Sequence, residues 1–200
     1  MNQIRSFIAI ELPDTLKGEL AHLQAQLKAG RYPSVKWVDP DSIHLTLKFL
    51  GNIDTSKIEE ITAAMAEVAR GISPFHLEVN QLGAFPNSRR VQVIWVGING
   101  QVDHLRQLQQ RLESRLAPLG FPPESRQFKP HLTLARLREW ASAEERSALG
   151  QLIANTSLTA NYAFPVDTIH LMKSQLTREG AIYHRISSAP LEKPLSTSGI

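Results

Sequence analysis

Ile43-His44-Leu45-Thr46-Leu47-Lys48 in the first half of the chain returns in the second half as Pro130-His131-Leu132-Thr133-Leu134-Ala135-Arg136. The two His-Leu-Thr-Leu copies begin 87 residues apart, near half the span that patterns as ordered. Successive side chains of a strand point to opposite faces. His44 and Thr46 therefore share one face, with Leu45 and Leu47 on the other. His131 and Thr133 stand in the same way against Leu132 and Leu134. The spacing implies two lobes of like construction. Each buries a leucine pair and presents an imidazole and a hydroxyl to a shared cleft.

Around these strands, helix-like and strand-like segments alternate. Ser6 to Leu12 reads as a first strand. Asp14 opens a helix with leucines at 16, 20, 23 and 27 on one stripe, stopped by Gly30. Val35 to Val38 and Ile43 to Leu50 read as strands, the second closed by Gly51 and Asn52. A Ser56/Glu59 capping box leads a helix with Ile58, Ile61, Met65 and Val68 on one face. Phe75 to Leu82 and Val91 to Ile98 read as a strand pair, with Gly83 to Asn87 as the loop between them. A third helix carries Val102, Leu105, Leu108, Leu112 and Leu116, and Ser142/Glu145 caps a fourth. Strands at 164–166, 169–174 and 181–186 follow. Many strands adjoin without an intervening helix, which argues for an α+β fold with antiparallel pairing. One bilobal domain over 1–186 is expected, and the Ser-, Pro- and Thr-rich 187–200 reads as a flexible tail.

Composition narrows the function. With 200 residues, 42% hydrophobic and 20% charged, the chain is an ordinary globular one. It has no cysteine, so thiol catalysis, thiolate metal sites and a disulfide scaffold are out. No apolar run approaches the roughly 20 residues that span a bilayer, and the N-terminus does not pattern as a signal peptide. A cytoplasmic protein with no membrane partner is the expectation. Neither GxGxxG nor GxxxxGK[ST] occurs. Net charge is only +3, but Arg89-Arg90 and the group Arg126, Lys129, Arg136 and Arg138 concentrate cations around the second motif. Such clusters are compatible with an anionic substrate.

Two converging histidines can divide acid and base work near neutral pH. Threonine hydroxyls can donate to phosphoryl oxygens as charge builds on them. A phosphodiester needs these groups and no metal. Zinc is the chemical rival, but no third ligand stands out and HExxH is absent.

The segments HLTLKFLG (44–51), GAFP with Arg89-Arg90 and VIWVG (83–97), and FKPHLTLARL (128–137) resemble the RNA 2′,3′-cyclic phosphodiesterases. These are also called 2′-5′ RNA ligases and belong to the two-histidine phosphoesterase superfamily. RSFIAIELP near the start and SQLTREGAIYHRI near the end resemble that family too. The resemblance implies a bilobal α+β fold, two pseudo-symmetric lobes with antiparallel sheets flanked by helices, and an active-site cleft between them. It implies hydrolysis of a 2′,3′-cyclic phosphate at an RNA end to a 2′-phosphomonoester, with 2′-5′ ligation as the reverse reaction. It implies no metal and no cofactor. The expected partner is RNA with a cyclic phosphate terminus, tRNA fragments included, acted on by a monomer.

By the same resemblance His44 is the acid and His131 the base, while Thr46 and Thr133 hold the phosphate. Arg136 matches a phosphate-contacting arginine, yet simple alternation puts it on the wrong face, so the strand must bulge or end there. Phe7 is a candidate to stack a base, and Lys129 to attract RNA. His170, in Ile169-His170-Leu171-Met172, lacks the threonine and reads as structural. Trp37, Trp95 and Trp140 read as core or lobe-edge packing. Two other classes stay open: an RNA-end binding protein without significant catalysis, and a phosphodiesterase for small cyclic nucleotides or ADP-ribose cyclic phosphate.

Overall fold

The computed structural model describes residues 2–158, 162–177 and 181–193. Along the chain run β1 (Gln3–Glu11), α1 (Asp14–Lys28), β2 (Val35–Trp37), β3 (His44–Asp54), α2 (Ile58–Ala69), β4 (Phe75–Phe85) and β5 (Val93–Gly100). Then come α3 (Val102–Leu116), β6 (His131–Leu137), α4 (Ala143–Asn155), β7 (Tyr162–Val166), β8 (Thr168–Leu176) and β9 (Ala181–Pro190). The helices follow their stripes: Leu16, Leu20, Leu23 and Leu27 of α1 are buried, as are Leu105, Leu108, Leu112 and Leu116 of α3. Burying one apolar face, rather than intrinsic propensity, is what holds helices of this length.

The strands form two antiparallel half-sheets. One has the order β7-β4-β5-β6, with β2 also on β6, and the other β3-β1-β8-β9. They meet between β3 and β6 at a single register pair, Leu45 opposite Leu132. This is the α+β bilobal arrangement the repeat implies, with the two lobes hydrogen-bonded at their seam. Helices α2 and α3 pack on each other; α2 also lies on β8 and β9, α3 on β3, and α4 on β4. One large apolar core runs beneath both halves. A second, small cluster of Phe7, Ala9 and Met172 with Tyr183 lies apart from it.

Among the boundaries that differ from the sequence reading, four bear on the site and the chain's end. β3 does not close at Gly51 and Asn52 but runs to Asp54, because Gln3 to Ser6 of β1 supply its partners. A 3-10 turn, Thr55–Lys57, precedes α2 and is capped by Asp54, whose carboxylate accepts from the Ser56 amide; α2 itself starts after Lys57 with no side-chain cap, so the Ser56/Glu59 box does not form. Gly83, Ala84 and Phe85 are not a loop: they extend β4 and pair with Trp95, Ile94 and Val93. Gly83 is required there, since a Cβ would fall 2.3 Å from the Trp95 indole. The expected loose tail is ordered through 193: Ser187 to Pro190 continue β9 against β8, and Leu191 is buried and donates its amide to the Asp167 carbonyl. The part of that tail from 194 lies outside the described residues.

Candidate active site

Cross-strand partners share a face, so the Leu45–Leu132 pair fixes the geometry of both motifs. Both leucines are fully buried beneath the sheet. Extending the antiparallel register by one residue sets His44 beside Thr133 and Thr46 beside His131. All four then lie on the cleft face, each half-buried. The two motifs are thus crossed about a local two-fold axis, and not merely opposed across a gap.

Each imidazole is fixed in the same way. His44 Nδ1 lies 2.9 Å from the Ser42 carbonyl, and His131 Nδ1 2.6 Å from the Lys129 carbonyl. A carbonyl only accepts, so each Nδ1 carries a proton and donates it. Each Nε2 is left to face the cleft, as an acceptor when the ring is neutral and a donor when it is charged.

Aromatic rings enclose both histidines. Phe7 stacks on His44 at 4.5 Å and Tyr183 meets it edge-on at 4.9 Å. Phe85 and Trp95 contact His131 at 5.0 and 6.5 Å. Sequence reasoning does not single out Phe85, Trp95 or Tyr183 as site residues. A signal exists in GAFP and in Trp95, whose strand pairs with β6, but only the register reveals it. Phe7, expected to stack a base, is 3% exposed, and its ring is used on His44. In β1 it stands opposite Phe49 and Met172, on the same face as His44.

Burial lowers both histidines. His44 falls to about 4, chiefly by desolvation, partly offset by the Ser42 carbonyl and the negative charge of Glu11. His131 is also lowered by desolvation; its carbonyl bond opposes this and the Arg136 charge adds to it. Both rings are therefore neutral at pH 7 in the free protein.

Arg136 reaches the cleft face through a bulge, the departure from simple alternation that the sequence reading called for. Between β5 and β6 the register runs Trp95–Thr133, then Ile94–Ala135, so Leu134 is an extra residue. Leu134 and Ala135 both point into the core, and Arg136 emerges exposed on the side of His131 and Thr133. β3 repeats the device: the register runs Ala9–Thr46, then Ile8–Lys48, so Leu47 is extra. Leu47 and Lys48 are buried, and Phe49 emerges 58% exposed. Lys48 Nζ is held 2.5 Å from Glu113 and 2.9 Å from the Pro122 carbonyl.

Lys129 is exposed, and its contribution to the site is its carbonyl. His170 is buried, bonded to Ser188 Oγ at 2.9 Å and 3.7 Å from Glu11, a structural role. Trp37 packs against the core, but Trp140 does not pack as expected and is 62% exposed. Among the described residues no group of three or more His, Cys, Asp or Glu is placed to hold a metal ion, and no helix is long and apolar enough to cross a membrane.

Two antiparallel half-sheets joined where two His-x-Thr strands cross are the architecture of a two-histidine phosphoesterase. The chain belongs to the 2′-5′ RNA ligase superfamily, whose family model matches residues 12–178. It is 32% identical over 181 residues to an RNA 2′,3′-cyclic phosphodiesterase of Methanothermobacter thermautotrophicus, covering 90% of this chain and 95% of that one. A protein of the same name from Aeropyrum pernix is 34% identical over 166 residues, 83% of this chain and 91% of its own. Among solved structures, a Thermus thermophilus protein superposes with a TM-score of 0.77 at 26% identity, covering 95% and 99% of the two chains. E. coli LigT in complex with 3′-AMP gives 0.74 at 25% identity, with the same coverage.

Proposed function

We propose that this protein hydrolyses the 2′,3′-cyclic phosphate of an RNA end to a 2′-phosphomonoester, with His44 and His131 as the acid–base pair. The observation that carries this reading is the crossed pair of His-x-Thr strands, with both Nδ1 atoms occupied and both Nε2 atoms left for the cleft. The relatives' name and the family membership support it.

Water attacks phosphorus and gives its proton to the neutral imidazole of the base. The P–O3′ bond breaks, and the departing O3′ takes a proton from the imidazolium of the acid. The products are a 2′-phosphate and a 3′-hydroxyl. Thr46, Thr133 and Arg136 neutralise the equatorial oxygens as charge grows on them. Entry of the anionic diester raises both imidazoles, which supplies the imidazolium that the free protein lacks. Neighbouring charge then separates the roles. Glu11 favours a proton on His44, and Arg136 disfavours one on His131. The resemblance makes His44 the acid and His131 the base; these two charges act in that direction, each smaller than the desolvation that lowers both rings. Reversal exchanges the two roles and joins a cyclic phosphate to a 5′-hydroxyl through a 2′-5′ linkage. The protein acts as a cytoplasmic monomer without metal or cofactor, tRNA fragments among its substrates, and its catalytic unit is the single bilobal domain.

The test is an oligoribonucleotide ending in a 2′,3′-cyclic phosphate, incubated with EDTA beside His44→Ala and His131→Ala. A 2′-phosphate product that disappears in both variants supports the reading. Loss of activity with EDTA and its return with zinc would replace it with a metal mechanism. RNA binding without product at any accessible pH would leave an RNA-end binding protein. Turnover of small cyclic nucleotides or ADP-ribose cyclic phosphate alone would move the substrate class.

A further inference from the structure

The cleft face does not end at Arg136. Lys36 of β2 is the cross-strand partner of Arg136 in β6, so the two cations stand on the same face, and both are exposed. Like charges directly opposite each other in a sheet are unfavourable unless an anion lies between them. The pairing continues one step further, since Arg138 donates its amide to the Ser34 carbonyl. Alternation therefore returns Arg138 to the face of Arg136. Arg138 is exposed, and so are Arg89 and Arg90 in the neighbouring turn. The ion pairs formed among the described residues use other cations than these five.

One buttress binds these segments together. The Arg146 guanidinium of α4 donates to the carbonyl of Val91 at 2.6 Å, next to Arg90, and to that of Arg138 at 3.1 Å. It also donates to the carbonyls of Glu139 at 3.4 Å and Ala141 at 3.2 Å. Those two residues flank Trp140. With both flanking carbonyls tied inward, the indole is presented outward on a held loop, which accounts for its 62% exposure. A large exposed aromatic amid unpaired arginines has the composition of a surface for single-stranded nucleic acid. Cations track the phosphates, and a ring stacks a base.

We propose that Lys36, Arg138, Arg89, Arg90 and Trp140 form a track for the RNA strand that leads up to the reacting end, continuing the phosphate site of Arg136 out of the cleft. The inference rests on the proposed function and sharpens its substrate class. The enzyme is built for a strand several nucleotides long, and a mononucleotide fills only the inner end of its site.

The experiment compares kcat/KM on a ten-nucleotide RNA ending in a 2′,3′-cyclic phosphate with that on cytidine 2′,3′-cyclic monophosphate. The variants are Lys36→Ala/Arg138→Ala, Arg89→Ala/Arg90→Ala, Trp140→Ala and Trp140→Phe. On the oligonucleotide, each charge-removing pair lowers kcat/KM at least tenfold, and the salt slope of log kcat/KM shrinks by about 1.4 for two lost phosphate contacts. Trp140→Ala weakens the oligonucleotide roughly 5- to 100-fold through KM, and Trp140→Phe restores most of it. The mononucleotide is turned over within about twofold of wild type. Equal losses on both substrates, or none on either, overturn the proposal; the second result leaves the patch to a protein partner. If wild type turns over neither substrate, it is the proposed function that has failed. The track is then judged by fluorescence anisotropy of a labelled ten-nucleotide RNA with a plain 3′-hydroxyl. Weaker binding by the variants upholds it, and unchanged binding overturns it.

Discussion

The strands His44–Asp54 and His131–Leu137 begin with the same tetrapeptide and share one backbone device, yet they differ in nearly every neighbour. Both bulge at the second leucine, and both turn the fifth residue after the histidine toward the cleft. In β6 the residue turned inward is Ala135 and the one turned outward is Arg136. In β3 they are Lys48, whose ammonium is buried against Glu113, and Phe49. His44 has an anion, Glu11, as its cross-strand partner, whereas His131 feels the cation Arg136. A repeated motif thus sets a repeated geometry. The neighbours, which do not repeat, set the two imidazoles in opposite local fields, an anion beside one and a cation beside the other, within the desolvation that lowers both.

The strongest test of equivalence is removal of the histidines. His44→Ala and His131→Ala are each expected to lower kcat by roughly 10²–10⁴-fold, the range for a general acid or base. A strong loss in one variant with near-normal turnover in the other would break the pairing.

The buried ion pair should be next in size. Lys48→Ala leaves Glu113 buried without its cation and is expected to cost about 3–5 kcal/mol of unfolding free energy in urea denaturation. Lys48→Met combined with Glu113→Gln should recover most of it. An unaltered midpoint for Lys48→Ala would mean that the first bulge carries no energetic weight.

The outward positions separate the lobes by function. Arg136→Ala is expected to reduce kcat/KM by about 10²–10³-fold, as for loss of a group that stabilises developing charge, with partial return in Arg136→Lys. Phe49→Ala, at the matching position, should cost less than tenfold, since an aromatic ring offers a phosphoryl oxygen no donor. Equal losses would show that position, rather than charge, is what matters.

The smallest effect concerns protons. His44 binds its proton more weakly folded than unfolded, at about 4 against 6.5. The unfolded chain therefore binds more protons between those values. Stability is fully present above pH 6.5, falls as pH drops toward 4 and levels off below it. The size is on the order of 3 kcal/mol, and His44→Asn should flatten this part of the pH–stability curve. In the same range kcat/KM should reach its maximum below pH 6.5, because both free imidazoles are lowered. The kcat profile should lie to its alkaline side, because the bound diester is anionic. Superimposed profiles would remove substrate charge as the source of the imidazolium.

Much of this is legible along the chain. Period-two alternation identifies His44, Thr46, His131 and Thr133 as one set, and the leucine stripes mark the helices. Arg136 is legible as a residue but not as a position, because one inserted residue in a strand reverses the face of everything after it. The same rule hides the burial of Lys48. Phe85 is hidden in what reads as a loop, since glycine and proline near a strand end pattern as a turn until Trp95 is seen lying over Gly83. Tyr183 is 139 residues from His44, and nothing local connects them. An aromatic in the first strand suits a base, but the burial of Phe7 on His44 depends on β3 and β8, on either side of it. The size of Trp140 suggests packing, but it lies exposed in a turn whose flanking carbonyls are held by Arg146 of α4.

The sequence by itself determined which side chains are the candidates for the chemistry and that they come in two matching sets. Residue type and spacing of two are properties of the covalent chain and survive into any strand it forms. Only the tertiary structure decided how the two sets meet, which cations join them and how each imidazole is charged. Those depend on which strands become neighbours, on the bulges that reset their faces, and on the water that packing excludes.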